Sequence, residues 1–349
     1  MSYTYDNGIG DKVDRYRIAW PDGYFVNYLY DALGHPTTVT DSGGTTLASY
    51  SYDNLARRSA LAYNGATGAR MIYGWSPEND LTTLASDFAA TANDVAFTNA
   101  FSPAHQWNDA AISNGAFRYL PQATGSTTYG TVNAVNQYPT VGGATFAYDT
   151  RGNLTSDGTL SLTYDPENRL MTAGKSGMTA AYTYDPLGRR TAKTVTVGTT
   201  TTVTNFLHDG DSEIAEYDGN GALIRRFVPG PAIDEYVAMI TAAGAKTFFR
   251  TDKMGSVIAM SDTSGNLTEG PTTFDAFGNC FIGGATCTAT GSPFRFTGLR
   301  FDAELGTPHG ADGDRCAERH GAFPFCRLTC GRDNHPSPKP VRRPAISAG

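Results

Sequence analysis

The residues best suited to chemistry in this sequence lie within one nine-residue phrase, Tyr182 to Arg190. It brings together the carboxyl group of Asp185, two phenols and two guanidinium groups. Such a set could hold a metal ion or transfer protons. The phrase recurs along the chain, however, and acid–base catalysis needs one or two carboxylates in distinct environments, not many equivalent ones. We therefore interpret the aspartates as turn residues whose side chains accept backbone N–H hydrogen bonds.

The phrase reads as strand, tight turn and strand. Tyr182 and Tyr184 project to the same face of a strand, and residues 185–188 carry the Asp, Pro and Gly preferences of a type I turn. The clearest copies of the phrase have as their turn aspartates Asp6, Asp31, Asp53, Asp149, Asp165 and Asp185. Each is predicted to join two neighbouring antiparallel strands.

Worn copies, in which other residues replace part of the phrase, extend the repeat through the rest of the chain. The aspartate or its substitute falls at 6, 31, 53, 76, 102, 133, 149, 165, 185, 209, 252 and 275, a step of about twenty residues that marks a repeat architecture with stacked neighbouring units. Between residues 80 and 117, Leu81, Leu84, Ala85 and Phe88 fall at helical spacing and could form a short helix. The repeat step favours a strand there, and residues 195–205 are predicted to form a hairpin around Gly198.

The repeat tyrosines and two cysteines each allow two interpretations. Aromatic faces can stack on sugars, but same-face aromatics in successive strands more often pack on each other. Cys280 and Cys287 flank a segment with Gly283-Gly284 at its centre, which as a hairpin tip would bring the sulfurs together. They form either a disulfide in an oxidising compartment or two free thiols in a strand pair.

No cofactor or metal site is predicted. In the last segment, the spacing of Cys316, His320, Cys326, Cys330 and His335 matches no common zinc motif. Phosphate-binding, dinucleotide-binding, nucleophile-elbow and zinc-protease motifs are absent from the sequence.

The overall charge bears on the partners. The net charge of −7 comes without a basic stripe, which disfavours nucleic acid as a partner. No 18-residue apolar run predicts a transmembrane segment, and the residues from Ser2 onward show no charged n-region or apolar h-region of a signal peptide.

These repeats resemble the YD repeats of the RHS (rearrangement hot spot) family, over roughly residues 1–306. The sharpest resemblance is to the end of an RHS core, carried in order by residues 209–218, 226–235, 251–257, 274–279 and 293–306. In the family signature near residue 250, histidines usually stand where this chain has Arg250 and Lys253. The family also places a self-cleaving aspartyl segment and a toxin after the core, and neither is recognisable here, so no catalytic residue is transferred.

The resemblance implies an all-β fold, an array of YD-repeat β-hairpins forming part of a curved or spiral sheet. We expect three segments: 1–204 as the YD-repeat array, 205–306 as the RHS core end, and 307–349 as a disordered tail. The tail has no tyrosine and carries charge +3. We attribute it to a change of reading frame near Gly306, with a divergent small domain as the alternative. Because Met1 starts inside a repeat, we expect a fragment of a longer chain.

The resemblance implies a non-enzymatic function, as part of an RHS shell that encapsulates or delivers a polymorphic toxin in bacterial competition. The expected partners are the remaining shell segments and a toxin polypeptide, and the expected location is secreted or at the cell surface. The alternatives are a surface module that binds glycans or other cells, a self-processing enzyme, and a degenerate remnant. With a dozen hairpins making only part of a shell, we also predict association through open strand edges.

Overall fold

The computed structural model describes residues 2–5, 15–65, 69–121, 126–288, 290–305 and 307–309. Within them the chain forms thirty β-strands and three single 3-10 turns, Thr91–Asn93, Gly115–Phe117 and Phe296–Gly298. The all-β prediction is confirmed. None of the described segments is a helix that is both long and apolar enough to cross a membrane. Asp6 and residues 310–349, most of the expected tail, lie outside the described residues.

The first large sheet has ten strands that follow one another in chain order, each antiparallel to the next. They are β1 (Ser2–Tyr5), β2 (Arg15–Ala19), β3 (Phe25–Tyr30), β4 (Pro36–Asp41), β5 (Thr46–Tyr52), β6 (Arg58–Tyr63), β7 (Arg70–Trp75), β8 (Leu81–Asp87), β9 (Val95–Phe101) and β10 (Trp107–Ile112). Residues 81–87 therefore form a strand, as the repeat step predicts, and not a helix.

A two-stranded ribbon, β11 (Thr140–Val141) and β12 (Ala144–Thr145), precedes the second large sheet of thirteen strands in chain order. These are β13 (Ala147–Tyr148), β14 (Leu154–Ser156), β15 (Ser161–Tyr164), β16 (Leu170–Lys175), β17 (Met178–Tyr184), β18 (Arg190–Val197), β19 (Thr200–Asp209), β20 (Ser212–Asp218), β21 (Leu223–Pro229), β22 (Tyr236–Thr241), β23 (Lys246–Thr251), β24 (Val257–Ser261) and β25 (Leu267–Glu269). The predicted hairpin around Gly198 is β18–β19.

Two small sheets complete the fold. One contains β26 (Thr272–Phe274), β27 (Cys280–Ile282) and β28 (Ala285–Thr286), and the other pairs β29 (Arg300–Asp302) with β30 (Thr307–His309). The sequence predicted one continuous array, but the structure divides it between β10 and β13. Pro121 and Pro139 lie in this break, and the worn copy at 133–137 keeps its turn without strands of either large sheet beside it. Proline lacks the N–H that a central strand needs.

The strands follow the side-chain alternation of the sequence. Along β17, Met178, Ala180 and Tyr182 are buried, whereas Thr179, Ala181 and Thr183 are exposed. Residues two apart in a strand share a face, so one face enters the core and the other meets solvent. The two tyrosines of the phrase lie on the buried face, as predicted.

The end of the second sheet folds back across the first. Ile214, Val228 and Phe248, from β20, β21 and β23, share one core with Val26 and Tyr50 of the first sheet. Their opposite face packs under residues 292–305, where Phe227, Phe249 and Phe294 form a second core. Strands β20 to β24 therefore form a middle layer that is buried on both faces. In keeping with this, β22 and β24 have runs of five buried residues. The strand β19 runs without a break through the expected boundary at 204/205, so that division stays a prediction.

Candidate functional site: the turn ladder and the buried core end

The repeated turn is built around its aspartate. In the 185–189 turn, Oδ1 of Asp185 accepts hydrogen bonds from the N–H groups of Leu187 and Arg189, at 2.9 and 3.0 Å. Its Oδ2 accepts one from Nε of Arg189 at 2.7 Å. Gly188 closes the turn with φ of 86°, a left-handed conformation that glycine adopts without steric cost. Both oxygens of the carboxylate thus accept hydrogen bonds from groups of the same turn.

The other predicted aspartates within the described residues have the same arrangement. Each accepts backbone N–H bonds from the residues two and four positions later, as shown by Asp31, Asp53, Asp149 and Asp165. At Asp53 the hydrogen bond from the Arg57 side chain is the largest cause of a lowered carboxyl pKa. At Asp185 burial opposes the shift, but the hydrogen bonds from Arg189 still lower the pKa.

Arginine and tyrosine side chains join each turn to its neighbours along the sheet. Nη1 of Arg189 donates to the carbonyl of Gly210 in the next unit at 2.7 Å, and Nη1 of Arg57 donates to that of Ser76 at 2.8 Å. In the opposite direction, the Tyr184 hydroxyl donates to the carbonyl of Leu170 at 2.8 Å. The units of Asp53 and Asp185 therefore bond forward through a guanidinium group and backward through a phenol, that of Tyr52 or Tyr184. We call this arrangement the turn ladder.

The turn ladder also survives in a worn copy. Nε1 of Trp75 donates to the carbonyl of Arg58 at 2.8 Å, so the indole N–H replaces the tyrosine hydroxyl as the donor. Ser76 replaces the aspartate and accepts the two turn N–H bonds through its hydroxyl, each at 3.2 Å. Sequence comparison of turn positions located this copy, but the substitution of donor and acceptor is visible only in the geometry.

Three further aspartates form the same turn but were not predicted from the sequence. Asp41, Asp218 and Asp262 accept the same pair of backbone N–H bonds. Their turns lack a preceding Tyr-x-Tyr pair, although Gly44, Gly221 and Gly265 stand at the fourth position. The marker at 209 lies at the expected place along the sheet, but Asp209 and Ser212 pair across a two-residue turn of a different type.

The tyrosine rings pack in the core, but arginines lie among them. Tyr50 and Tyr182 are 6% and 1% exposed. The Arg190 guanidinium lies 4.5 Å from the ring centroid of Tyr182, and that of Arg58 lies 5.0 and 5.5 Å from the rings of Tyr50 and Tyr73. The expected ring-on-ring packing is thus replaced at these positions by cation–π contacts, because the phrase places an arginine close to each aromatic face.

Long aromatic donors fix the first sheet to the middle layer. Nε1 of Trp20 donates to the carbonyl of Ile214 at 3.0 Å, and the hydroxyls of Tyr28 and Tyr63 donate to the carbonyls of Pro229 and Phe249 at 2.9 and 2.7 Å. The contacts reach β20, β21 and β23. Each gives a hydrogen bond to a backbone carbonyl, which would cost free energy if it were buried without a partner.

Ion pairs between the layers add to these anchors. Arg58 pairs with Glu235, Lys246 pairs with Asp41, and Arg226 pairs with Asp22. In the pair of Arg58 and Glu235, both side chains are under a fifth exposed. The two layers are therefore held in one register by side chains about two hundred residues apart in the chain.

The core end carries a charge cluster that sequence analysis did not identify. Nε of Arg300, in β29, donates to Oε2 of Glu213 at 2.8 Å, and Nη2 of Arg300 contacts Glu213 and Glu216 of β20. Arg225 donates to the second oxygen of Glu216 at 2.7 Å. Burial raises the pKa of Glu213. For Glu216 burial acts in the same direction, but the charges of Arg300 and Arg225 prevail and lower its pKa.

A second group of charges holds the end of this segment. Asp302, fully buried, accepts hydrogen bonds from Nη1 of Arg190 at 2.7 Å and Nζ of Lys193 at 2.9 Å. Glu304 also accepts from Lys193 at 3.1 Å and from the Tyr182 hydroxyl at 3.1 Å. Although burial opposes it, the two carboxylates raise the pKa of Lys193. The opening phrase, 182–190, is thus the place where the core end docks.

A small cavity lies between these groups. It measures about 30 Å³ and is lined by Arg190, His208, Glu213, Tyr236 and Arg300, among others. Nε and Nη2 of Arg190 are buried in the described structure without a hydrogen-bond partner. Burial and the charge of Arg189 lower the pKa of His208 to about 4. A cavity of this size, with charged side chains in its lining, has room for about one or two water molecules.

Arg250 and Lys253, at the positions of the family histidines, have different surroundings. Arg250 is fully buried, donates to Ser261 at 3.0 Å, and lies 4.1 Å from the ring centroid of Tyr63. Nζ of Lys253 lies 4.5 and 4.0 Å from the rings of Phe101 and Trp107. The two basic residues therefore bind the turn at 252–256 to the first sheet.

A disulfide joins Cys280 to Cys287 across the β27–β28 hairpin, with the two Cα atoms 5.4 Å apart. Both cysteines pack against Phe301 of β29. Among the described residues, no group of three or more histidine, cysteine, aspartate or glutamate side chains could hold a metal ion.

The sequence profile of the Teneurin YD-shell family matches residues 114–304, which is more than half of the chain. This chain belongs to the YD-shell family. The resemblance to RHS and YD-repeat proteins is therefore confirmed, and the matched region includes the turns at 133–185 and the core end.

Curated relatives share part of the YD-shell region. The chain is 34% identical over 179 residues to tRNA3(Ser)-specific nuclease WapA of Bacillus spizizenii, a match that covers 50% of this chain and 7% of the relative. It is 30% identical over 192 residues to tRNA nuclease WapA of Bacillus subtilis, covering 54% of this chain and 8% of the relative. The chain spans less than a tenth of either protein.

A solved structure has the same YD-shell fold. The Photorhabdus luminescens Tc holotoxin pore, in its TccC3-D651A form, matches with a TM-score of 0.59 and 12% identity, over 86% of this chain and 19% of that one. At this identity the match concerns the fold alone. It covers a larger share of the chain than the family match over residues 114–304 does.

Proposed function

We propose that this chain is a non-enzymatic wall segment of a YD-repeat shell, which encloses a polypeptide such as a toxin and keeps it apart from its surroundings. The mechanism is passive, because a wall excludes other molecules without bond chemistry. The three sequence segments, 1–204, 205–306 and 307–349, serve in this proposal as array, core end and tail. A secreted or cell-surface location, with the remaining shell segments as partners, belongs to the same proposal.

The observation that carries the proposal is the docking of the core end on the repeat array. Asp302 binds Arg190 and Glu304 binds Lys193, both in β18 of the array, while Arg300 binds β20 within the core end itself. Buried ion pairs give weak net stability, but they define one geometry because each misplacement leaves a charge unpaired. A wall must hold one shape, and this network fixes the geometry at the point where the array ends.

The charged groups of the core end are poorly suited to catalysis. Glu213 and Glu216 both bind Arg300, and Asp302 binds Arg190 and Lys193. The cavity beside them, of about 30 Å³, is far smaller than the several hundred Å³ of a substrate pocket. This favours a structural role over an enzymatic one, including the tRNA cleavage for which the WapA relatives are named.

Two measurements test the proposal. Purified chain incubated with bacterial tRNA is expected to leave the tRNA intact, and its own mass is expected to stay at 37.2 kDa. Electron microscopy of the assembled protein should place this chain in the wall around an enclosed space. Cleavage of tRNA by the chain, self-processing, or a solid particle would each contradict the proposal.

Glycan binding is the second candidate, and one feature favours it. A shallow depression of about 450 Å³ lies beside a repeat turn and is lined by Glu167, Arg169, Thr183 and Tyr184, among others. Aromatic and charged side chains at such a surface suit sugars. A glycan array decides: a specific ligand lost in Tyr184→Ala supports this function, and no specific ligand leaves the wall as the better account.

A further inference from the structure

The strand β29 is held in place mainly by its side chains, which point in two directions. Within the described residues it pairs with β30 and belongs to neither large sheet. Arg300 and Asp302 bind charged side chains of β20 and β18. Phe301 lies between them and packs on the other side against Cys280 and Cys287, since successive side chains of a strand alternate. The strand is therefore clamped between the second large sheet and the disulfide.

The disulfide closes a hairpin with a very short ladder. β27 and β28 share only two residue pairs, and β28 is the exposed edge strand of its sheet. The N–H of Cys287 donates to the carbonyl of Cys280 at 2.9 Å, directly beside the bond between the two sulfurs. A ladder this short has little stability of its own in water. The covalent bond is therefore the main constraint that keeps Cys287 against Phe301.

We propose that this disulfide is a redox latch, which keeps residues 293–305 docked in an oxidising compartment and releases them where a dithiol reductant is present. We call these residues the docked segment. In the reaction the disulfide takes up two electrons and two protons and becomes two thiols, while the dithiol becomes a disulfide. Without the bond β28 separates from β27, and Phe301 loses the surface that covers it.

The ion pairs on the opposite side of β29 depend on this cover. Asp302 is fully buried, and Arg300 is 8% exposed. Interactions between charges are strong where water is excluded and weak in bulk water. Once Phe301 is uncovered, water reaches these pairs from the side of the hairpin, which weakens them and opens the docked segment. The opening is local, because the hydrogen bonds between the first sheet and the middle layer lie elsewhere.

The reductant reaches the bond through Cys287. This residue is 8% exposed, whereas Cys280 is 1% exposed, so the thiolate of the reductant attacks the sulfur of Cys287 and Cys280 leaves as a thiolate. The second thiol of the reductant then displaces Cys287 from the mixed disulfide. The hairpin tip, Gly283 and Gly284, is exposed, so separation of the two strands from the tip uncovers the sulfur without unfolding the large sheets.

The latch gives the proposed wall a place that responds to its compartment, and this consequence rests on the wall function. Disulfides persist in secreted and surface proteins and are reduced in the cytosol. A shell that passes from the first environment into the second would loosen where the array ends. The latch itself belongs to the single chain. It is therefore tested without a shell or a cargo, and its failure leaves the wall proposal as it stands.

Hydrogen–deuterium exchange of the full chain at pH 7, before and after treatment with dithiothreitol, tests the latch. The N–H groups of Phe301 and Leu305 donate to the carbonyls of Pro293 and Asp302 at 2.7 and 2.9 Å, so their exchange reports on the docked segment. After reduction their exchange should be at least about tenfold faster. Exchange in β3 to β6 of the first sheet should be unchanged.

Two variants serve as controls. Cys280→Ser/Cys287→Ser should show the fast exchange without reductant and should not respond to dithiothreitol. Cys316→Ser/Cys326→Ser/Cys330→Ser, which removes the other three cysteines, should respond as wild type does. Alkylation of the reduced chain should mark Cys280 and Cys287 while β3 to β6 stay protected from exchange.

Unchanged exchange of Phe301 and Leu305 after complete reduction would overturn the proposal. An equal acceleration in β3 to β6 would also overturn it, since the bond would then control the whole fold and not one segment. So would a disulfide that dithiothreitol reduces only under conditions that unfold the first sheet.

Discussion

The guanidinium of Arg190 donates a hydrogen bond of 2.7 Å to the carboxylate of Asp302, 112 residues later in the chain. Arg190 closes the most regular repeat phrase, and Asp302 belongs to the segment that ends the core. The contact joins the two parts of the molecule that the sequence treats as separate signatures. It also explains why a repeat arginine is buried at 5% exposure, since it has a fully buried partner.

Removing Asp302 should destabilise the fold strongly. In Asp302→Ala, Arg190 and Lys193 would stay buried without this carboxylate, and the free energy of unfolding should fall by about 3–5 kcal/mol. Urea unfolding followed by tryptophan fluorescence measures the change. The control is Asp87→Ala, which breaks the exposed pair with Arg70 and should cost about 0–1 kcal/mol. Equal losses in the two variants would show that the docked core end adds nothing special.

Mild acid should weaken the core end through His208. Burial lowers the folded-state pKa to about 4, whereas the unfolded side chain titrates near the ordinary value of 6.5. The unfolded state therefore binds the proton first, and stability should fall as the pH drops from about 6.5 towards 4. Unfolding free energies at pH 7 and pH 5 should differ less in His208→Asn than in wild type. An identical difference would assign the pH dependence to other groups.

The turn ladder predicts a loss at each repeat aspartate. Asp185→Ala removes two backbone acceptor contacts and the pairing with Arg189, and charge-assisted hydrogen bonds of this kind contribute about 1.5–3 kcal/mol. Thermal and urea unfolding should show that loss. Thr183→Ala, on the exposed face of the same strand, is the control and should change stability little. If Asp185→Ala is neutral, the turn forms without its carboxylate.

The disulfide should stabilise the small sheet over the core end. Opening the bond between Cys280 and Cys287 restores the freedom of a short loop, at a cost of about 2–3 kcal/mol. Dithiothreitol should lower the unfolding midpoint of wild type and leave that of Cys280→Ser/Cys287→Ser unchanged. The variant without reductant should match reduced wild type. A reductant effect of equal size in the variant would place the sensitive group elsewhere.

The sequence by itself determined the local structure. The Asp-x-x-Gly turns, the tyrosine pairs and the alternation in β17 all depend on neighbours within a few residues, so their chemistry can be read directly. One further signal was available: the continuous apolar runs at 236–240 and 257–260 are typical of strands buried on both faces. They indicate the middle layer, although not which surface covers it.

Only the tertiary structure decided which distant parts meet. The repeats give strands such as β17 an apolar face but do not specify that β20–β24 lie across the first sheet. Packing of complementary shapes over two hundred residues made that choice. The same holds for Arg190, whose spacing marks it as a turn residue and whose partner Asp302 has no neighbouring signal. A buried charge needs a counter-charge, and the fold determines which carboxylate supplies it.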